Sequence, residues 1–278
     1  MVINCAANVK HFSKGTDIED INYGGVKNLV EFCQVRHARL IQVSTESVGG
    51  MSLGSQPGFF TEQQLYFGQQ TDNQYVHSKF LAERHILQCM AEGTLEAKIM
   101  RAGNLSPRAS DGEFQINLNS NSAMGRIRAY KLLGACPYSL LEGQMEFSPI
   151  DQTARAMVLL SQTPKENCVF NVSNNHMVPM EDILSRLEKI DNKKVDYVEL
   201  PEFMARMQSL MNDPAIAPML SSLVAYANSS QQQMVMNVPT TGFTMQALYR
   251  LGFRWDHTSS TYVDMIFDML KSMRYFEV

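Results

Sequence analysis

Short apolar runs alternate with longer stretches whose apolar residues recur at helical spacing, and this alternation organises the first part of the chain. Met1-Val2-Ile3-Asn4-Cys5-Ala6-Ala7, a short apolar run followed by polar residues, reads as a buried parallel strand, and Leu40–Thr45, Ala97–Ala102 and Val169–Val172 read as the strands that follow. Between the first two, residues 17–34 carry Ile18, Ile21, Val26, Leu29, Val30 and Cys33 on one helical face, with Asp17 as the expected N-cap. Residues 73–92, 119–133 and 151–162 predict further helices, the last capped by Asp151. Strands alternating with helices in this way predict βαβ units and a parallel sheet covered on both faces. Residues 48–72, rich in Gly, Ser, Gln and Pro, predict a long functional loop. After Asn174 the texture changes. Helices over 181–190, 202–226, 244–251 and 262–275, with one short strand at 194–200, predict a smaller, mostly helical domain.

Composition narrows the function classes. Hydrophobic residues make up 45% of the 278 residues and charged residues 19%, the balance of an ordinary globular chain. A formal charge of −4 argues against nucleic acid as a partner, because that binding needs a concentrated basic surface. No apolar run approaches the ~18 residues of a membrane span, and the N-terminus lacks a signal-peptide pattern, so a cytoplasmic protein is expected. The five cysteines form no C-x-x-C pair and the six histidines no H-E-x-x-H, which gives a metal site no support.

The candidate chemistry lies at Tyr75-Val76-His77-Ser78-Lys79. A phenol and an ammonium four positions apart share one face of a helix. The hydroxyl of Thr45, at the end of a strand, can reach the same point. Together they could pass a proton to a carbonyl oxygen as hydride is delivered to its carbon. Each has a plainer reading: Tyr and Lys are ordinary helix-surface residues, and Ser44-Thr45 are ordinary strand formers. Arg126, Arg128 and Lys131 read as a solvated face, or as a basic strip for an acidic partner. Met204, Met207 and Met211 read as core.

Several segments, in order, resemble the short-chain dehydrogenase/reductase superfamily. Val2-Ile3-Asn4-Cys5-Ala6-Ala7-Asn8 is similar to its fourth-strand motif, and Asn22-x-x-Gly25 to the helix motif that follows. Val43-Ser44-Thr45 resembles the strand end bearing the catalytic hydroxyl, and Tyr75 with Lys79 the catalytic pair. Arg101-Ala102-Gly103-Asn104-Leu105 looks like the segment lining nicotinamide and substrate in extended members. Phe147-Ser148-Pro149-Ile150-Asp151 looks like a later extended-family motif. Asn8-Val9-Lys10-His11-Phe12 and Gly112-Glu113-Phe114-Gln115-Ile116-Asn117 resemble, more narrowly, the terminal thioester reductase domains of nonribosomal peptide synthetases. The resemblance implies NADPH-dependent release of an acyl or peptidyl thioester, borne on the phosphopantetheine arm of a carrier protein, as an aldehyde and in some members an alcohol. It implies Thr45, Tyr75 and Lys79 as catalytic residues. Ala6, Ala7, Asn22, Val43, Lys79, Gly103, Asn104 and Leu105 would bind the cofactor.

No glycine-rich turn follows the first strand, and that absence shapes the remaining expectations. It predicts an α/β chain with a partial Rossmann-like parallel sheet, later strands only, lacking its N-terminal dinucleotide-binding part. Residues 1–175 would form the catalytic half, with 106–146 contributing to a substrate domain completed by 176–278. Such a truncated chain is expected to bind NADPH poorly, to be inactive alone, and to form a homodimer through the exposed edge of its N-terminal strand. The alternatives are a non-catalytic carrier-protein-binding module, an NAD-dependent epimerase or dehydratase, or a fatty acyl-CoA reductase.

Overall fold

Four strands form the main sheet in their sequence order: β1 (Val2–Asn4), β2 (Leu40–Thr45), β3 (Ala97–Ala102) and β4 (Val169–Val172). Every pairing is parallel, with Val2 beside Leu40, Leu40 beside Ala97, and Ile99 beside Val169. β3 and β4 are buried along their whole length, including Lys98, Arg101 and Asn171. The computed structural model describes residues 1–9, 16–54, 56–116, 118–220, 223 and 234–277. The N-V-K-H-F segment beyond Val9, Asn117, and the end of the helix expected over 202–226 lie outside the described residues.

The chain divides into two compact units. The first comprises residues 1–103, 153–173 and 228–254 and contains the sheet. Its helical residues 17–35 are α-helical at Asp17–Glu19, relax into a π-helical turn at Asp20–Gly24, and continue as α1 (Gly25–Val35). The N-cap is Thr16 rather than Asp17, and the Thr16 hydroxyl donates to Asp20 Oδ2 at 2.7 Å. α2 (Gln74–Ala91) begins at Asn73, whose side-chain oxygen accepts the N–H groups of Tyr75 and Val76. Val26, Val30, Leu40, Ala82, Ile86 and Ile99 close the core between helices and sheet. Each fully buried Val, Leu or Ile contributes about 1.5–3 kcal/mol.

The expected loop at 48–72 is not structureless. Met51–Leu53 pairs antiparallel with Met234–Met236, and Phe59–Phe60 pairs parallel with Val238–Pro239. Asn237 stitches the two together: its side chain donates to Gly49 O at 2.7 Å and accepts from Ser52 Oγ and Gly58 N. Gly50 (φ +57°) is required here, since a Cβ would lie 2.2 Å from Gln70 O.

Lys98, buried on β3, donates to Thr163 Oγ1 at 3.0 Å, Pro164 O at 2.8 Å and Asn167 O at 2.6 Å, holding the turn before β4. Lys98→Met leaves these oxygens without their donor and is expected to cost about 1–3 kcal/mol in urea unfolding. A midpoint equal to that of the parent chain would show that the turn holds itself.

The second unit comprises residues 104–152, 174–227 and 255–278. Its helices are α3 (Ser122–Leu133), α5 (Met180–Asp191), α6 (Leu200–Leu210) and α8 (Ser260–Ser272); α4 (Ile150–Leu160) and α7 (Gly242–Arg250) lie wholly or mostly in the first. Met124, Ile127, Phe147, Ile183, Leu184, Ile266 and Leu270 are fully buried in its core, and Met207 joins them as expected of a core methionine. Two short parallel pairings brace it: Ala135–Pro137 with Asp196–Val198, and Leu105–Ser106 with Ser148–Pro149.

The fold corrects one expectation. The chain does not present only the later strands of a Rossmann-like sheet: a β-α-β start opens at Val2, and the parallel sheet grows from it without interruption. The partial-sheet reading took a missing glycine pattern for a missing βαβ unit. Here the connection after β1 is secured by asparagines instead. Asn4 Oδ1 accepts the Ala6 N–H at 3.1 Å, and Asn22 Oδ1 accepts the Asn8 N–H at 2.7 Å.

Candidate active site

Lys79 is the pivot of the first unit's site. It lies two turns into α2, only 4% exposed, and its Nζ donates to Val43 O at 2.9 Å. One side chain thereby ties the helix to the carboxyl end of β2. Val43 and Thr45 lie on the same face of that strand, while Gln42 and Ser44 turn into the interior. Tyr75 sits one turn before Lys79 and is half-buried. Desolvation drives the Lys79 ammonium down to about 8, against the opposing pull of Glu83 and of Cys5.

Thr45 ends β2 in extended conformation and caps the turn Glu46–Gly49, its Oγ1 accepting the Ser47 N–H at 3.1 Å. With that lone pair engaged, the hydroxyl proton is left to donate outward. Asn22 is buried in the π-helical turn, a local widening of the helix that often marks a functional position. Its Nδ2 donates to Asn8 O at 2.9 Å and to Ser78 Oγ at 3.0 Å, fixing the residue beside Lys79. Ala6 is exposed and Ala7 and Gly103 half-exposed, just beyond the ends of β1 and β3. Asn104 and Leu105 belong to the second unit, where Leu105 O accepts from Asn121 Nδ2 at 3.0 Å.

Two buried carboxylates, Glu83 and Glu146, escaped the sequence reading. Arg101 opens the segment that resembles the nicotinamide-lining motif, yet its guanidinium turns inward. It pairs with Glu83 through Nε at 3.0 Å and Nη2 at 2.8 Å, both side chains being fully buried. Glu83 also accepts the Ser44 hydroxyl at 2.5 Å. Glu83 lies one turn beyond Lys79, so this carboxylate supports both the lysine and the strand end bearing Thr45. The i, i+4 spacing from Lys79 was the signal in the sequence that could have found it. His77 is exposed on the helix surface, as a plain surface residue is. Among the described residues, no cluster of His, Cys, Asp and Glu could hold a metal, and no helix is long and apolar enough to cross a membrane.

The family described as male sterility protein, an NAD-binding family, matches residues 1–157. The chain belongs to this family. No curated protein matches the sequence. Among solved structures, a thiolation-reductase di-domain from an archaeal non-ribosomal peptide synthetase is 33% identical over 99% of this chain, with a TM-score of 0.83. The chain spans 58% of that structure's length. The reductase domain of the Aureusimine biosynthetic cluster is 24% identical over 98% of the chain and 68% of its own, with a TM-score of 0.77. The terminal R domain of the myxalamid PKS-NRPS pathway is 18% identical over 99% and 68%, with a TM-score of 0.78. At those two identities the likeness is one of fold. The male sterility family match over residues 1–157, with the likeness to the thiolation-reductase di-domain over 99% of this chain, corrects the reading of a thioester reductase domain lacking its dinucleotide-binding part.

Proposed function

We propose that this chain is the reductase of a carrier-bound thioester, releasing the acyl or peptidyl group as an aldehyde with NADPH as reductant. The observation that carries the reading is the Lys79 Nζ–Val43 O bond, which anchors the Tyr-x-x-x-Lys pair at the strand end bearing Thr45. The likeness to the thiolation-reductase di-domain supports a carrier protein with a phosphopantetheine arm as the partner.

The residues present suit the cofactor. At the carboxyl ends of β1 and β3, Ala6, Ala7 and Gly103 offer no side chain larger than a methyl, so the backbone can be approached closely. Lys79, Asn22 and Val43 complete the contacts proposed for the first unit. Bound NADPH supplies the hydride. Thr45 donates a hydrogen bond from its hydroxyl to the thioester carbonyl oxygen, keeping its proton, and steadies the charge that develops there. Tyr75 passes its proton to that oxygen. The phenol ordinarily holds its proton up to a pKa of about 10, and the nearby Lys79 ammonium lowers the cost of the phenolate left behind. The resulting hemithioacetal expels its thiol without a nucleophile or metal.

The test is aldehyde formation from a carrier-bound thioester with consumption of NADPH. Turnover should fall as pH rises through about 8, where Lys79 gives up its charge. NADPH oxidation without aldehyde or alcohol, or no reaction with any thioester, would overturn the proposal.

A further inference from the structure

Each of the second unit's three chain segments opens at a residue that joins, directly or through its neighbours, one hydrogen-bond network: Asn104, Asn174 and Trp255. Its centre is Glu146, which is buried. Glu146 Oε2 accepts the Asn104 N–H at 2.5 Å, and Oε1 accepts the Ser148 hydroxyl. Ser148 Oγ in turn accepts the Asn174 N–H at 2.9 Å. The Asn174 side chain donates to Thr258 Oγ1 at 3.2 Å and to Asp256 O at 3.4 Å. Asn104 is gripped twice more, its Nδ2 donating to Glu146 O and its Oδ1 accepting from Arg126 Nη2, both at 3.4 Å.

We propose that Glu146 is a positioning residue, whose ionised carboxylate fixes the Asn104 backbone and, through Ser148, gathers the starts of the unit's three segments. The consequence for thioester reduction rests on the reading of Asn104 as a nicotinamide- and substrate-lining residue. The physical ground is the acceptor inventory. An ionised carboxylate only accepts, and here both oxygens are used by donors. Once protonated, one oxygen becomes a donor aimed at groups that already donate, and the network must rearrange.

Burial pushes the Glu146 carboxyl up to about 7, against the hydrogen bonds of Ser148, Asn104 and Asn174 and the charge of Arg126. The charged or titratable groups around it are Arg126 on α3, Tyr262 on α8, and, at the far end of the network, His176, His257 and Asp256. The sign of the linkage is distinctive. A folded pKa above the ordinary carboxylate value means that this group's contribution to stability falls as pH rises from 4.5 to about 7, while positioning improves over the same window. Melting temperature and turnover therefore move in opposite directions, which a merely structural residue would not produce.

Trp255 is the single tryptophan, is buried, and adjoins Asp256 in the network, so its fluorescence reports on the network without reference to activity. In the parent chain, Trp255 emission should titrate with a midpoint near 7. Glu146→Gln should abolish that transition. Ser148→Ala, which removes a hydrogen bond favouring the ionised form, should move the midpoint to higher pH. A transition that survives unchanged in both variants belongs to a group other than Glu146 and overturns the proposal. In thioester reduction, Glu146→Gln should lower kcat by up to roughly a hundredfold, the cost of a misplacement of about 1 Å, and remove the acid limb of the pH profile. Glu146→Asp should restore part of it. If Trp255 titrates as stated but no thioester is reduced by any of these chains, the positioning role stands and the proposed function fails.

Discussion

Tyr75→Phe will remove thioester reduction, lowering kcat by about a hundred- to ten-thousandfold while leaving NADPH affinity unchanged. The substitution deletes one oxygen from a half-buried ring on a helix whose start is held by Asn73, so neither α2 nor the Lys79–Val43 anchor is disturbed. On the proposed mechanism, what is lost is the proton passed to the carbonyl oxygen as the hydride arrives. Because that interaction exists only as the oxygen becomes negative, kcat and kcat/KM should fall together with little change in KM. Lys79→Ala should behave differently and lose NADPH affinity as well, since the lysine is expected to face both the phenol and the cofactor. Stopped-flow reduction and calorimetric titration of NADPH separate the two. A Tyr75→Phe chain that keeps more than about a tenth of parent turnover would assign the proton to another group.

Glu83→Ala is expected to destabilise the first unit by about 3–5 kcal/mol in chemical unfolding, the usual consequence of removing one partner from a buried ion pair. The Arg101 guanidinium would be left in the interior with only the carbonyl oxygens of Gln64, at 3.0 Å, and Thr61, at 3.4 Å. Ser44 would lose its acceptor beside Thr45. The double variant Glu83→Ala with Arg101→Met removes the stranded charge and should recover most of the loss, though not the alignment of Ser44. Stability regained without turnover would show that the pair holds the site as well as the core. A single-variant loss below about 1 kcal/mol would mean that the pair contributes to neither.

The parts that could be read from the sequence were those dictated by local chemistry. β2, β3 and β4 occupy Leu40–Thr45, Ala97–Ala102 and Val169–Val172, where the apolar runs place them. α2 begins within a residue of the range predicted by its periodicity, because Asn73 is a strong N-cap. The rest depends on partners distant in the chain. Nothing local announces that Met51–Leu53 will pair with Met234–Met236, or that a helix late in the sequence will return to the first unit's sheet. The π-helical turn at Asp20–Gly24 is likewise invisible in apolar spacing, since it shifts the register without interrupting the helix. The partial-sheet expectation failed for a related reason. It treated glycine as the only way to settle the turn after β1, whereas Asn4, Asn8 and Asn22 do so by hydrogen bonding. In the first unit the spacing of Tyr75, Lys79 and Thr45 was legible but the burial of Glu83 against Arg101 was not, and in the second unit the burial of Glu146 was hidden in the same way.

The late return of α7 bears on how this protein can be dissected. Phe243 stacks on Phe170 at 5.8 Å, and Thr244 Oγ1 accepts the Asn171 N–H at 3.0 Å while donating to Glu62 at 2.7 Å. A gene cut after residue 175, the natural-looking place to excise a catalytic half, would leave the outer strand of the sheet without its cover and Glu62 buried without a partner. Such a fragment should be recovered from inclusion bodies. An experimenter who wants the first unit alone must bring residues 234–254 along, by joining them through a short linker to the end of β4. Homologous recombination between relatives faces the same rule: crossovers that exchange the sheet without exchanging α7 will pair surfaces that never evolved together.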